Sequence, residues 1–134
     1  MAVLWVHVMA TWFMVGVIWF VQVVHYPLMK QVGVADYVLY QSDHMRRTTW
    51  VVGPGMLVEA LTGVWLLFVD TSMGLWMGLG LLVLIWLSTV FLQVPRHNQL
   101  LLKFDDHHHR LLVQTNWIRT LAWTARGILC FGMF

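Results

Sequence analysis

Four long apolar runs dominate the chain, at residues 2–24, 50–69, 74–95 and 111–134. At about 1.5 Å of rise per residue, roughly 20 helical residues cross the ~30 Å hydrocarbon layer of a bilayer, so each run is long enough to span it. The fourth qualifies despite containing Arg119 and Arg126. The first run is too long for a signal peptide, lacks a basic segment ahead of it and has no small-residue cleavage site after it, so it is expected to be a mature helix. The pattern predicts an all-α membrane protein: one four-transmembrane-helix bundle over residues 1–134, with no sizeable soluble domain.

The segments between the runs are amphipathic. Tyr37, Tyr40, His44 and Arg47 follow one another at spacings of three, four and three, which puts them on one helical face and predicts an interfacial helix. In the second connection His97, Leu101, Phe104, His108 and Leu112 fall on one stripe, with Asp105, Asp106 and His109 more exposed; His97 and His108 are expected to look toward the same side. Pro27 is expected to end the first helix, because proline cannot continue the backbone ladder. The two halves also echo each other. Phe20, Gln22 and His25 match Phe91, Gln93 and His97, and Thr49 with Trp50 matches Thr115 with Trp117 more weakly. This echo predicts a two-fold internal repeat of a helix, an amphipathic segment and a second helix.

Charge refines the topology. Only 10% of residues are charged against 60% hydrophobic, and the net charge is +2. Lys30, Arg46, Arg47, Arg96, Lys103 and Arg110 all lie in the two long connections, while the turn from Asp70 to Met73 has no basic residue. Under the positive-inside rule both connections face the cytoplasm and both termini face out, the expected setting being a bacterial cytoplasmic membrane. These basic residues are explained by topology, so no nucleic-acid partner is implied. Cys130 is the only cysteine, which excludes a disulfide framework or a cysteine metal cluster within one chain.

Against so apolar a background, a few side chains stand out as candidate chemistry. Glu59 sits among Leu57, Val58, Ala60 and Leu61, about 13 Å below the interface marked by Trp50. A charge at such depth costs on the order of 3 kcal/mol even on the milder insertion scale, so Glu59, Arg119 and Arg126 should face the bundle and find partners. Depth alone permits either arginine to pair with Glu59. Asn116, Thr120 and Trp123 share a face with Arg119. The pair is either a helix-to-helix pin or part of a relay.

There are seven histidines. His7 reads as a helix contact together with Thr11, whereas His25, His44, His97, His107, His108 and His109 gather near the inner mouth. Imidazole suits iron, copper and zinc. His25, His44, His97 and His108 are therefore candidate ligands for haem or a transition metal such as iron or copper, the alternative being a solvated interfacial patch. The i, i+3 carboxylate and histidine spacing of Asp105 with His108 and of Asp106 with His109 is that of di-metal bundles, but Gln41 replaces the acid in the other half. Gly53, Pro54 and Gly55 are expected at the start of the second helix, where small residues admit close packing.

Pro95, Asn98, Leu100, Asn116 and Arg119 resemble the pattern of the anthrone oxygenase-like family of small four-helix membrane proteins, over roughly the C-terminal third. His7, with His25, Tyr26 and Pro27, resembles small uncharacterised bacterial membrane proteins. The first resemblance implies oxidation of a hydrophobic, aromatic or quinol-like substrate within the bilayer. The leading expectation is a membrane oxidoreductase or metal- or haem-binding protein acting on a lipophilic molecule. Its ligands or acid–base groups would be His25, His44, His97 and His108, its buried charges Glu59 with Arg119 or Arg126, and its rim Tyr40 and Arg47. Two alternatives stay open. One is a small dimeric transporter or channel using Glu59 and the helix-4 arginines, and the other an accessory subunit of a respiratory or photosynthetic complex, whose partner contacts would use the nine tryptophans.

Overall fold

The structure, a computed structural model, describes residues 1–69 and 71–133. It is all-helical, with no strand among those residues. There are four long helices: α1 (Ala2–Met29), α2 (Val34–Leu66), α3 (Met73–Leu100) and α4 (Asp106–Cys130). The first three are long and apolar enough to cross a membrane. A short 3₁₀ turn, Phe131–Met133, follows α4. Asp70, in the expected turn, and Phe134, the expected end of the last helix, lie outside the described residues.

The helices are longer than the apolar runs, and the interfacial segments are not separate elements. At 33 residues, α2 measures about 50 Å, some 20 Å more than the hydrocarbon layer. Its first four turns, carrying Tyr37, Tyr40, His44 and Arg47, are one rod with the apolar span. Gly53, Pro54 and Gly55 therefore fall in the middle of α2 rather than at its start.

Proline does not end α1. The helix passes through Pro27 to Met29, and the strain is absorbed upstream by a π turn at Val21–His25. A proline offers no N–H to the carbonyl four residues back and crowds it, and widening the preceding turn relieves both. The same device recurs in α3, where a π turn at Thr89–Gln93 precedes Pro95. Aligned on these turns and prolines, Gln93 answers His25 rather than Gln22, so the backbone likeness runs in a different register from the echo of residue types.

Packing runs α2–α1–α4–α3, and α2 meets α3 only lightly. Gly63 and Gly127 allow close approach: a Cβ on Gly63 would stand 2.7 Å from Leu79 Cδ2, and one on Gly127 3.3 Å from Trp12. The central core is Met14, Val15, Ile18, Met56, Ile85, Ala122 and Trp123. A second cluster of Tyr26, Met29, Tyr37, Leu100 and Leu112 closes the end where α1 joins α2 and α3 joins α4, here termed the connection end. The opposite, terminal end carries both chain termini.

Candidate functional site

Buried polar side chains form two groups at different heights. Toward the terminal end, Glu59 is fully buried and pairs with Arg126, 2% exposed, at 3.2 Å. This decides between the two arginines left open by depth. Trp123 Nε1–H donates to Glu59 Oε2 at 2.9 Å, and Arg126 donates to the Gly78 carbonyl and, at 3.5 Å, to Thr11 Oγ1. His7 does not act with Thr11. Its Nδ1–H donates to Thr62 Oγ1 at 2.8 Å, since the Thr62 hydroxyl already gives its own proton to Val58 O at 2.6 Å. The void against His7, Arg126 and Cys130 leaves no space for a water molecule. This group is a closed pin joining α1, α2, α3 and α4.

Arg119 lies two turns nearer the connection end of α4 and has no such partner. It is 7% exposed, its Nε is buried without a hydrogen bond, and no carboxylate forms an ion pair with it among the described residues. Its guanidinium carbon stands 5.4 Å from the Trp123 ring centroid, a cation–π contact. Asn116 and Thr120 turn from it toward Gln22, whose Oε1 accepts from Asn116 Nδ2 at 2.8 Å and from Thr120 Oγ1 at 3.2 Å. That satisfies Gln22 inside the π-turn region, while its amide donates to Val113 O.

Arg119 forms part of the wall of a cavity of about 340 Å³ between α2 and α3. The lining is mostly apolar, including Met14, Ile18, Val52, Met56, Trp86 and Val90, with Tyr26, His44, Thr48, Gln93 and His97 as polar points. Leu57, Val90 and Val94 are lining residues that are also exposed on the outside of the bundle, at 54%, 50% and 43%. The cavity therefore opens sideways, where α2 and α3 barely touch. Gly53 leaves room in the wall: a Cβ there would meet nothing nearer than Thr49 Cγ2 at 4.0 Å.

The histidines divide. His97 turns into the bundle, where Gln41 Nε2 donates to its Nδ1 at 2.9 Å; its proton therefore sits on Nε2, 3.0 Å from Tyr26 Oη. Both ring nitrogens are committed. His44 lies against His97, with ring centroids 5.4 Å apart, and stacks on His25 at 4.2 Å. Thr48 Oγ1 is 3.1 Å from His44 Nδ1, and these two side chains line both the cavity and a surface groove formed with His25, Asp36, Tyr40, Asp43 and Arg47. Tyr40 stacks beside His25 and His44, whereas Arg47 is exposed and reaches Asp43 at 3.8 Å.

His108 does not join this group. The helix stops at Leu100 and resumes at Asp106, so the helical stripe drawn from His97 to His108 is broken. His108 instead accepts from Arg96 Nη1 at 3.1 Å. His109, expected to be exposed, is 5% exposed; its Nε2–H donates at 2.7 Å to the Tyr26 carbonyl, one of the orphan acceptors at the end of α1. Asp105 is spent on capping: it accepts the His108 backbone N–H at 2.8 Å, which holds its carboxyl below the usual carboxylate range. Asp106 reaches Arg110 at 3.7 Å rather than His109.

No group of three or more His, Cys, Asp and Glu side chains in metal-holding geometry occurs among the described residues. Stacked rings such as His25 and His44 present faces, not nitrogens, to each other, so as arranged this pair does not bracket an ion. Neither Tyr26 nor Gln41 is among the candidate site residues expected from the sequence. The available signal was that Gln41 lies four residues after Tyr37 and three before His44, on the polar stripe of α2. Comparison of the chain with known protein families, with curated proteins and with solved structures yields no significant match in any of the three.

Proposed function

We propose that the chain is a four-span membrane protein that holds a lipophilic molecule in the cavity between α2 and α3 and acts on it there, in the manner of an oxidoreductase with a quinol-like or aromatic substrate. The observation that carries this reading is Arg119: a buried guanidinium without a carboxylate, set in the wall of an otherwise apolar cavity open to the side. A charge in hydrocarbon surroundings is costly and marks a functional site by default. The lateral opening, rimmed by Leu57, Val90 and Val94, suits entry from the lipid rather than from water. Tyr26 and His97 supply a hydrogen-bonded acid–base pair at the cavity wall, with Gln41 fixing the tautomer. His44 and Thr48 lie between that pair and the surface groove rimmed by Tyr40 and Arg47. With the basic residues of both connections at one end, the positive-inside rule supports a cytoplasmic connection end, termini outside, and a bacterial cytoplasmic membrane as the setting.

The test is made on detergent-purified protein. Organic extraction and mass spectrometry are expected to find a co-purifying lipophile, absent from the variant Gly53→Leu, whose Cβ has room in the wall and whose side chain would take up cavity volume. An ultraviolet–visible spectrum and elemental analysis, repeated on His25→Ala, His44→Ala, His97→Ala and His108→Ala, test whether haem, iron or copper is held. Absence of any extractable lipophile, together with no binding of added quinone-like compounds, would sink the reading.

A further inference from the structure

The formal charges buried in the bundle do not balance. Among the described residues, the buried aspartate, glutamate, lysine and arginine side chains are Glu59, Arg126 and Arg119. Glu59 and Arg126 cancel, at 3.2 Å. Arg119 remains, a net positive charge set against the face of Trp123 with no carboxylate paired to it among the described residues. The ring quadrupole offsets part of the cost of burying a guanidinium and leaves its hydrogen-bond donors unsatisfied. The other polar points of the cavity, Tyr26, His44, Thr48, Gln93 and His97, include no carboxylate, and His97 Nδ1 accepts from Gln41 rather than carrying a second proton. A neutral occupant would leave the charge standing in a low-dielectric wall, and a dianion would replace one excess charge by another. A single negative charge restores neutrality and gives the guanidinium the oxygen acceptors it lacks.

We infer that the occupant of the cavity is a lipophilic monoanion: an ionised carboxylate, phenolate, enolate or phosphodiester head placed against Arg119, with an apolar body leaving between Leu57 on α2 and Val90 on α3. This rests on the reading of the cavity as a ligand site, and fixes the charge of what that site selects. A free amphiphile and an anionic phospholipid of the bilayer share this chemistry.

The experiment compares two probes of one shape on purified protein in a non-ionic detergent, read by quenching of tryptophan fluorescence, to which Trp86 in the cavity wall contributes. One probe is 2-hydroxy-1,4-naphthoquinone, a monoanion at neutral pH, and the other 2-methyl-1,4-naphthoquinone, which is neutral. A charge-assisted hydrogen bond is expected to make the hydroxy compound bind about 10- to 100-fold tighter. Arg119→Met should abolish that preference, Arg119→Lys should keep part of it, and Gly53→Leu should weaken both probes. Displacement of the hydroxy compound by phosphatidylglycerol would support the charge assignment and locate its source in the bilayer; displacement by dodecanoate alone would support it and point to a free amphiphile. Equal affinity for the two probes in the unaltered protein, or a preference that survives Arg119→Met, would overturn the monoanion and leave the cavity as a site. Failure of both probes and both lipids to bind, or binding indifferent to Gly53→Leu, would overturn the two together.

Discussion

Replacing each buried arginine by methionine should have opposite consequences, although the two lie on the same helix seven residues apart. Arg126→Met removes the partner of a carboxylate that is completely buried and leaves Glu59 with the single N–H of Trp123 at 2.9 Å. Breaking a buried pair from one side costs about 3–5 kcal/mol, because a naked charge is left behind. Arg119→Met removes a charge that has no carboxylate. The lost cation–π contact is worth about 2 kcal/mol, while relief of an unpaired charge at membrane depth returns roughly 2.5–3.5 kcal/mol, so the ligand-free protein should be unchanged or about 1 kcal/mol more stable. Reversible unfolding by dodecyl sulfate in mixed micelles, followed by far-ultraviolet circular dichroism on protein stripped of bound lipophile, measures both. Adding Glu59→Gln to Arg126→Met should recover more than half of its loss, since the remaining partner is then neutral. If Arg119→Met destabilised the protein by more than about 2 kcal/mol, Arg119 would be a structural anchor and the argument from its missing partner would fail.

Other expectations address the pair at the cavity wall, the helix contacts and the cap. On the oxidoreductase reading proposed above, Tyr26→Phe removes the hydroxyl 3.0 Å from His97 and should lower turnover of a quinol-like substrate by about 10²-fold or more while substrate affinity stays within a few-fold, as read from kcat and KM in steady-state assays. Gly63→Val would drive side-chain atoms into Leu79 and His7, and should destabilise the bundle by about 1–3 kcal/mol in the same dodecyl sulfate titration, with Gly80→Val, where a Cβ meets nothing within 4 Å, as the mild control. Asp105 is held below the ordinary carboxylate range by the His108 N–H, so its capping contribution is complete above that range and is lost as pH falls through the lowered value. Amide exchange at His107 and His108 should accordingly quicken, relative to the intrinsic rate, on acidification below about pH 4, and Asp105→Ala should show the quickened exchange at every pH.

What the sequence determined by itself is the part governed by local periodicity and by the cost of polarity in hydrocarbon. Unbroken apolar runs of about 20 residues have one outcome in a bilayer, so the helices were legible, three of them reappearing as rods long and apolar enough to span. The same cost singled out Glu59, Arg119 and Arg126, because charged residues in such runs are conspicuous whatever the fold. Helix ends were less legible. Pro27 looks like a stop in one dimension, and only the three-dimensional backbone shows that a π turn ahead of it, as ahead of Pro95, lets the helix continue.

The tertiary structure alone decided which polar groups meet. Depth along α4 could not choose between Arg119 and Arg126 for Glu59, because that choice depends on the rotation and tilt of α4 against α2 as well as its height. A stripe drawn through His97 and His108 assumed one continuous helix, and the break after Leu100 sends the two imidazoles to different neighbours. Asp105 carried a metal-like spacing to His108 because an N-cap uses the same three-residue reach. The cavity was invisible for a related reason. It exists because α1 and α4 pack closely with both neighbours while α2 and α3 scarcely touch, and such a gap belongs to no single helix.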